Sequence, residues 1–358
     1  MPDLKKKSYD HTLLVTLFLI MIIGLVILYS TSAYNGEVKF HDSFYYLKKQ
    51  LFATGLGVVA MFVMAGTDYH FWKKFAIPAY LGAILLSIAV VLFGDEYNGS
   101  KRWLSLGPFS FQPSEYAKVA VILFLAYLVT RNVEKMSSIW TMLRIMLCVL
   151  PVVGLVGASN LSTAIIILGI AAVLIFVASP RYAQFIWMGV LGCGFMTVFL
   201  ALESYRLERI AIWRNPEKYE KGYQTLQGLY AIGSGGLFGR GLGESIQKLG
   251  FVPEAQNDMI FSIICEELGL VGAGFVLILF LILIWRFFVI ATHAEDLFGA
   301  LIGAGAMAHM MIQVILNISV VTNTIPNTGI TLPFISYGGT SVVFLLLEMG
   351  LVLSVSAG

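Results

Sequence analysis

Charged side chains are scarce in this sequence. Asp, Glu, Lys and Arg make up 12% of its 358 residues, whereas soluble domains carry about 25%. Hydrophobic residues account for 58% of the chain, and the mean hydropathy is +0.84. This balance excludes an ordinary soluble domain and indicates a polytopic membrane protein.

Cysteines and basic clusters are also sparse. The three cysteines, Cys148, Cys193 and Cys265, lie far apart in apolar surroundings and form no C-x-x-C pair. We therefore expect neither a disulfide framework nor a cysteine metal cluster. The formal net charge is +2, and there is no basic patch beyond the lysines at 5–7. Nucleic acid is therefore not an expected partner.

Long apolar runs dominate the chain instead. Runs of about 20 residues that are almost free of charge can cross a hydrocarbon core of about 30 Å as helices. An open sheet could not replace them, because lipid offers its backbone no hydrogen-bond partners. The expected spans fall near 12–34, 49–66, 75–94, 114–130, 140–158, 162–179, 183–202, 264–290, 297–320 and 336–356. The fold class is therefore an all-α polytopic membrane protein with about ten transmembrane helices.

Lysine and arginine in the short loops predict the orientation, because these residues are enriched on the cytoplasmic side. They fall on one side of the membrane at Lys5, Lys6, Lys7, Lys73, Lys74, Arg131, Lys135 and Arg181. Both termini are therefore expected in the cytoplasm. We expect residues 1–358 to form a single integral membrane domain, with one long extracytoplasmic loop at 203–263 before the eighth span.

The long loop loses its charges toward its end, until Asp258 stands alone before the next apolar helix. Aspartate is a favoured N-cap residue, so Asp258 could simply cap that helix. A carboxylate at the boundary between water and hydrocarbon also suits chemistry on a polar substrate that a lipid carries. The residues alone leave both interpretations open, and Asp258 is the leading catalytic candidate.

The loop before the fourth span places two cations, Lys101 and Arg102, beside Trp103, and it ends in Glu115 and Lys118 one helical turn apart. On a surface helix such an ion pair contributes only about 0.2–0.5 kcal/mol. At membrane depth ionisable groups are costly and indicate a functional site. Trp103 alone would be typical of an interfacial aromatic belt. We expect these five residues to bind substrate.

Arg209 and the glycine-rich stretch 233–243 are candidates for binding the phosphate groups of a substrate. Backbone N–H groups near glycines can approach phosphate oxygens. The stretch has no preceding strand and lacks the Lys-Ser/Thr ending of a P-loop, so a nucleotide motif is not supported. Structural turns are the favoured interpretation of most of these glycines.

The ninth span and the loop after it carry further polar residues. His309, Gln313 and Asn317 share one helix face, where they hold helices together or bind a ligand; the first is favoured. The last loop combines prolines, glycines and hydroxyls, Ser336 among them. Irregular backbone at membrane depth survives where protein or a water-filled cavity covers it. We therefore expect this loop to line a substrate cavity, with Ser336 on its surface.

Four motifs closely resemble the SEDS family of RodA, FtsW and SpoVE. They are KRWLSLGPFSFQPSEYAK, GYQTLQGLYAIGSGGLFGRGLG, FVPEAQNDMIFSIICEELGLVG and PNTGITLPFISYGGTS. The resemblance covers nearly the whole chain in order, and several long motifs in register are far more specific than any one alone.

The resemblance implies a peptidoglycan polymerase in the bacterial plasma membrane. Its substrate would be lipid II, the undecaprenyl-diphosphate-linked disaccharide-pentapeptide, and its active site would be extracytoplasmic. The family's essential aspartate corresponds to Asp258, its tryptophan to Trp103, and its Glu-x-x-Lys pair to Glu115 and Lys118. The implied partner is a class B penicillin-binding protein that supplies transpeptidase activity.

The chemistry of such a transfer agrees with a single carboxylate. Joining an α-linked diphosphate donor to a sugar hydroxyl as a β-glycoside inverts the anomeric carbon, which requires a base and no protein nucleophile. Asp258 is enough as that base. The leaving diphosphate requires cations from the basic residues above or from a divalent ion, Mg²⁺ or Mn²⁺, although no metal ligand set is visible. A lipid II flippase and a non-catalytic scaffold for cell-wall synthases remain as alternatives.

Overall fold

The computed structural model describes residues 9–97, 100–106, 109–181 and 204–358, together with positions 185, 186, 189, 190, 192 and 194. Helices dominate this part of the chain. They are α1 His11–Phe40, α2 Tyr45–Gly66, α3 Tyr69–Lys73, α4 Ala76–Phe93, α5 Pro113–Arg131, α6 Ile139–Ser159, α7 Leu161–Ala178, α8 Ser204–Arg214, α9 Tyr223–Gly235, α10 Ile260–Thr292, α11 Leu297–Val321 and α12 Gly339–Ser356. Short 3₁₀ turns lie at Val133–Lys135, Pro216–Lys218 and Glu220–Gly222.

Nine of these helices, among the residues that the structure describes, are long and apolar enough to cross a membrane. They correspond to nine of the ten predicted spans, and the protein is a membrane protein of the predicted all-α class. The predicted span at 183–202 lies largely outside the described residues. The division into one domain with a single long loop at 203–263 stays a prediction.

The first helix is longer than its apolar run. It begins with Asp10 as N-cap, whose carboxylate accepts from the N–H of Leu13 at 2.7 Å. It ends at Phe40, where His41 adopts a left-handed conformation with φ 53°. The chain between the predicted spans 12–34 and 49–66 is therefore helical as far as Phe40, since a helix can continue with polar turns beyond the hydrocarbon core.

A small antiparallel sheet precedes α5, where the sequence predicted only a loop. Its strands are β1 Asp95–Tyr97, β2 Ser100–Leu106 and β3 Phe109–Phe111 in the order β1-β2-β3. The alternation of apolar and polar residues in LSL and FSF is the period of a strand. Runs of three residues are too short for their length to distinguish a strand from a helix. In the structure β2 of this sheet contains Arg102 and Trp103.

The core is formed by α5 and α11, the most buried helices of the bundle together with α12. α11 packs against α5, α7, α10 and α12, while α2 lies along α12. At that last contact a Cβ on Gly350 would overlap the carbonyl oxygen of Met61, so glycine permits the close approach. Polar residues on α5 and α11 therefore face protein rather than lipid.

The glycine-rich stretch 233–243 pairs with the first third of α10. Helix α10 is kinked at Gly269, where φ is 68°. The N–H groups of Arg240 and Gly241 donate to the carbonyls of Glu266 and Glu267 at 2.9 and 3.0 Å. These backbone donors are occupied by protein acceptors, which supports structural turns as the role of the glycines.

Candidate active site

The segment that joins α11 to α12, residues 322–338, is the centre of the candidate site. Side chains from the surrounding helices hold its backbone. Four of them donate to its carbonyl oxygens: Asn317 to Ile330 at 2.7 Å, Gln313 to Thr331 at 3.1 Å, Ser162 to Thr328 at 3.0 Å and Arg209 to Asn327 at 3.2 Å. Protein side chains thus satisfy the carbonyls of residues 327, 328, 330 and 331, as irregular backbone at membrane depth requires.

Asp258 is buried beside this segment. Its Oδ1 accepts a hydrogen bond from Nε2 of Gln224 at 3.3 Å, and its backbone carbonyl accepts from Nδ2 of Asn317 at 2.9 Å. Helix α10 begins at Ile260, with Met259 in the N-cap position. The capping interpretation of Asp258 is therefore wrong, because the helix begins one residue too late for its carboxylate to be the N-cap group.

The pKa of Asp258 is raised from 3.8 to about 6, mainly by burial and also by the negative charge of Glu254. Hydrogen bonds from backbone N–H groups and from Gln224 act in the opposite direction. The net result is a carboxylate whose pKa lies close to neutral pH. A general base is most effective when its pKa lies near the working pH.

Arg102 faces the same space as Asp258. Gly329 lies between them with φ 69°, and a Cβ added to it would stand 3.8 Å from Nη1 of Arg102 and 3.9 Å from Oδ2 of Asp258. The Nε of Arg102 donates to the carbonyl of Ser159 at 3.2 Å, which fixes the guanidinium. A side chain at this position would therefore contact both a carboxylate and a cation.

The side chains of Glu115 and Lys118 are buried in the helix bundle and are not exposed beside the 322–338 segment. Their side chains form an ion pair with Nζ 3.1 Å from Oε2, and the residues are 6% and 1% exposed. Nζ of Lys118 also donates to Oε1 of Gln313 at 3.0 Å, and Gln313 in turn holds Thr331. The pair is buried and connected to the site through Gln313, so it is not the solvent-exposed surface pair. Contact with substrate stays a prediction for both residues.

The remaining predicted residues lie at different distances from this centre. Arg209 is half-buried against Asn327. Trp103 is half-buried in β2, opposite Asp95, while Lys101 is exposed. The hydroxyl of Ser336 accepts from the N–H of Leu332 at 2.8 Å within its own turn. The structure thus brings Asp258, Arg102 and Arg209 to the 322–338 segment, and roles for Lys101, Trp103 and Ser336 in substrate binding stay predictions.

Three residues of this region were not singled out from the sequence. Gln224 positions the carboxylate of Asp258, and Glu254 acts on its pKa. Glu348 is a lone carboxylate in the apolar run of α12. Its Oε2 is hydrogen-bonded to Nδ1 of His309 at 2.8 Å. The rule that intramembrane carboxylates indicate function could have found Glu348. His309 contacts Glu348 on α12 and Gln313 contacts Lys118 on α5, as the predicted helix-joining role requires. Gln313 and Asn317 also bond to carbonyls of the 322–338 segment, and those contacts join no second helix.

A metal site built from protein side chains is not found in the described part of the chain, where no three His, Cys, Asp or Glu residues are grouped to hold an ion. Mg²⁺ is commonly bound by one or two carboxylates together with substrate phosphates. Asp258 could bind an ion in that mode, together with substrate phosphates. The described residues do not provide the grouped ligands that a metal ion bound without substrate would need.

A family model described as "Cell cycle protein" and named for FtsW, RodA and SpoVE matches residues 10–358. The chain belongs to this family. The resemblance of its motifs is thereby confirmed over nearly the whole length.

Curated relatives of this FtsW/RodA/SpoVE protein agree with the assignment. Stage V sporulation protein E of Bacillus subtilis is 41% identical, with 98% of each chain covered. A probable peptidoglycan glycosyltransferase FtsW of Geobacter sp. (strain M18) is 35% identical, with 98% of this chain and 97% of the relative covered.

Solved structures of the family share the fold. Rod shape determining protein RodA of Thermus thermophilus is 29% identical, with a TM-score of 0.72 and 98% and 97% of the two chains covered. A chain from a peptidoglycan synthase complex, solved to show how polymerization and crosslinking are coordinated, is 30% identical. Its TM-score is 0.83, with 98% of each chain covered.

Proposed function

We propose that this protein is a peptidoglycan glycosyltransferase that joins the disaccharide units of lipid II into glycan strands, with Asp258 as the general base. The activity class agrees with the names of relatives that are about one-third identical over nearly the whole chain. The observation that carries the proposal is the buried carboxylate of Asp258 and the guanidinium of Arg102, both within 4 Å of the side-chain position of Gly329.

The proposed reaction is one inverting displacement. The acceptor hydroxyl oxygen attacks the anomeric carbon of the donor sugar while its proton moves to a carboxylate oxygen of Asp258. The bond from the anomeric carbon to the diphosphate oxygen breaks, and the diphosphate leaves with the electron pair. No covalent sugar–protein intermediate is needed, which is the logic of inverting enzymes.

Arg102 is the proposed partner of the leaving diphosphate. A fixed guanidinium next to a developing negative charge stabilises the transition state without further reorganisation, and the bond to Ser159 holds that guanidinium. Arg209, bonded to Asn327, is a second candidate cation. A divalent ion, Mg²⁺ or Mn²⁺, would bind through Asp258 and the substrate phosphates and would neutralise charge on the diphosphate.

The active site is proposed to open on the extracytoplasmic side of the bacterial plasma membrane, with both termini in the cytoplasm. The support is the positive-inside distribution of lysine and arginine, which puts Lys73 inside and Lys218 outside. Single cysteines at 73 and 218, in a background without native cysteines, test this with an impermeant maleimide on intact cells. Labelling at 73 but not at 218 would contradict the orientation.

A class B penicillin-binding protein is the proposed partner. A polymerase whose active site faces the outside of the plasma membrane produces glycan strands that require crosslinking by a transpeptidase. The similar chain of 30% identity comes from a peptidoglycan synthase complex that combines polymerization and crosslinking, and this supports a shared arrangement here.

The decisive experiment is polymerisation of labelled lipid II by purified protein, with glycan products resolved by length and moenomycin present to silence unrelated glycosyltransferases. The parent should form strands, and Asp258→Asn should turn over roughly 10²–10⁴-fold more slowly, the usual contribution of a positioned base. A flippase would form no glycan in the parent, and a scaffold would form none without its partner. Equal rates for parent and Asp258→Asn would remove Asp258 from the reaction.

A further inference from the structure

Five buried side chains form a continuous polar chain beneath the candidate site. They come from α5, α11 and α12 and are at most 6% exposed. The contacts in order are Glu115 Oε2 to Lys118 Nζ at 3.1 Å, Lys118 Nζ to Gln313 Oε1 at 3.0 Å, Gln313 Oε1 to His309 Nε2 at 2.9 Å and His309 Nδ1 to Glu348 Oε2 at 2.8 Å. This polar chain joins three helices whose other buried side chains are mostly apolar.

The orientation of the Gln313 amide follows from two of its neighbours. The carbonyl oxygen of Thr331 can only accept, so the amide group 3.1 Å away must be the Nε2 donor. The ammonium of Lys118 can only donate, so the atom 3.0 Å away must be the Oε1 acceptor. Both constraints give the same orientation.

The protonation of His309 follows from that orientation. Its Nε2 lies 2.9 Å from Oε1 of Gln313, an acceptor, so Nε2 must carry a proton. Its Nδ1 lies 2.8 Å from Oε2 of Glu348, and one proton lies between these two atoms. Whether that proton belongs to the imidazole or to the carboxyl group, the pair has no net charge and Nε2 stays protonated.

Glu348 therefore fixes the imidazole ring in the position from which Nε2–H reaches Gln313. Without a partner at Nδ1, neutral His309 keeps its proton on Nε2, but the ring loses the contact that fixes it and can turn about its Cβ–Cγ bond. Oε1 of Gln313 would then lose one of its two donors, and only Lys118 and Thr331 would hold the amide. Oε1 of Glu348 has no hydrogen-bond partner in the described part of the chain, so the carboxyl group is kept there at a cost to folding.

We propose that His309 and Glu348 are positioning residues for the glycosyl transfer. They hold Gln313 in one orientation, and Gln313 holds both Lys118 and the carbonyl of Thr331, two residues from Gly329 and the space between Asp258 and Arg102. This proposal rests on the proposed function. The competing explanation is that the polar chain only joins helices, in which case a stable replacement would leave the rate unchanged.

Two variants of Glu348 separate these explanations. In Glu348→Gln the side-chain amide can donate to Nδ1 and keep the proton on Nε2. Glu348→Leu has a similar size, removes the unpaired buried oxygen and leaves Nδ1 without a partner. We expect Glu348→Leu to unfold at a moderately lower temperature than the parent, because Nδ1 of His309 loses its partner while the loss of the unpaired Oε1 offsets part of that cost.

The activity assay uses labelled lipid II with parent and variants in the same detergent or liposomes. We expect kcat to fall roughly 10- to 100-fold in Glu348→Leu with KM little changed, by analogy with the loss when a residue that orients a metal ligand is removed. Glu348→Gln should stay within roughly threefold of the parent. Ser354→Ala is the matched control, because Ser354 lies on the same helix and bonds to the carbonyl of Thr67 at 2.6 Å, away from Gln313.

An independent measurement is the ¹⁵N NMR spectrum of imidazole-labelled protein, which reports the proton on each ring nitrogen without any turnover. The parent and Glu348→Gln should show Nε2 of His309 protonated and hydrogen-bonded, and Glu348→Leu should show an Nε2–H whose hydrogen bond to Gln313 is weakened or lost. A parent with an unprotonated Nε2 would overturn the proposal. So would parent-like kcat in a folded Glu348→Leu, or an equal loss in Glu348→Gln. A parent that forms no glycan would overturn the proposed function instead, while the NMR result still tests the polar chain.

Discussion

The side-chain amide nitrogen of Asn317 lies 2.9 Å from the backbone carbonyl oxygen of Asp258. The same nitrogen lies 2.7 Å from the carbonyl of Ile330. One buried amide on α11 therefore joins the turn before α10 to the 322–338 segment. The positions of Asp258 and of Gly329, the neighbour of Ile330, depend on this junction.

Replacing Asn317 by Asp tests the junction, because a carboxylate of the same shape has no N–H to donate. Each buried carbonyl that loses its donor costs about 1–3 kcal/mol, so the free energy of unfolding should fall and polymerisation should fall with it. Asn132→Asp is the control, since Asn132 donates to the carbonyl of Leu128 at 2.8 Å at the far end of α5. Lost activity in Asn132→Asp, or full activity in Asn317→Asp, would contradict the assigned role.

Adjacent cations in β2 provide a second test. Arg102 faces the space beside Asp258, whereas Lys101 is exposed. Arg102→Gln should lower kcat/KM for lipid II about 10²-fold, the usual effect of removing one group that stabilises developing negative charge. Lys101→Gln should lower kcat/KM by clearly less than Arg102→Gln, because Lys101 is exposed and solvent screens its charge. Equal losses in the two variants would indicate general attraction of an anionic substrate instead of a specific contact.

The spans and the position of Asp258 could be predicted from the sequence because both follow from local properties. A helix that crosses hydrocarbon must be apolar over about 20 residues, and a single carboxylate at the end of such a run is conspicuous. The last loop was also expected to line a substrate cavity; Asp258, Asn317 and Arg209 contact or adjoin its backbone, and the cavity itself stays a prediction. The end of α1 was missed because its polar last turns, Glu37 and Lys39, resemble a loop in composition.

The contacts of the site could not be predicted, because they join distant parts of the chain. Lys118 and Gln313 are 195 positions apart, and His309 and Glu348 are 39 apart. Helix packing decides which residues lie opposite each other, and helical periodicity alone does not predict that packing. The role of Gly329 requires its positive φ and its two charged neighbours, and neither is visible in the letters PNTGIT.

The pH dependence of the reaction should report the pKa of Asp258. A base must be ionised, so kcat/KM should rise with pH through a midpoint near 6. Glu254 raises that pKa by its negative charge, and Glu254→Gln should therefore move the midpoint to lower pH. Glu217→Gln, an exposed acid in the same region, should leave the midpoint unchanged. A profile without an acidic limb, or one that Glu254→Gln does not move, would separate Asp258 from the titration.

The same carboxylate should lower stability where it is ionised. Folding raises the pKa of Asp258 from 3.8 to about 6, so the folded state prefers the protonated form and the preference is lost as pH rises through 6. Asp258→Asn should therefore unfold like the parent near pH 4 and at a higher temperature than the parent near pH 7. Its free energy of unfolding at pH 7 should exceed that of the parent by about 3 kcal/mol at most.

The matched control for that comparison is Asp42, an exposed carboxylate. Its hydrogen bond with Lys48 lowers its pKa, so its ionised form favours folding and Asp42→Asn should not gain stability as pH rises. Thermal unfolding of the three proteins from pH 4 to pH 8 measures both trends. A lower unfolding temperature for Asp258→Asn at pH 7 would mean that the charge of Asp258 supports the fold.

A methyl group at Gly329 should block the space between Asp258 and Arg102. Gly329→Ala would place its Cβ 3.8 Å from the guanidinium and 3.9 Å from the carboxylate, and its positive φ adds about 1–2 kcal/mol of backbone strain. Gly250→Ala is the control, because Gly250 also has a positive φ of 96° but lies next to Tyr34. Both variants should lose similar stability, and Gly329→Ala alone should lose polymerisation, by roughly 10²-fold for a misplaced reacting group. Equal activity in the two alanine variants would show that substrate does not enter this space.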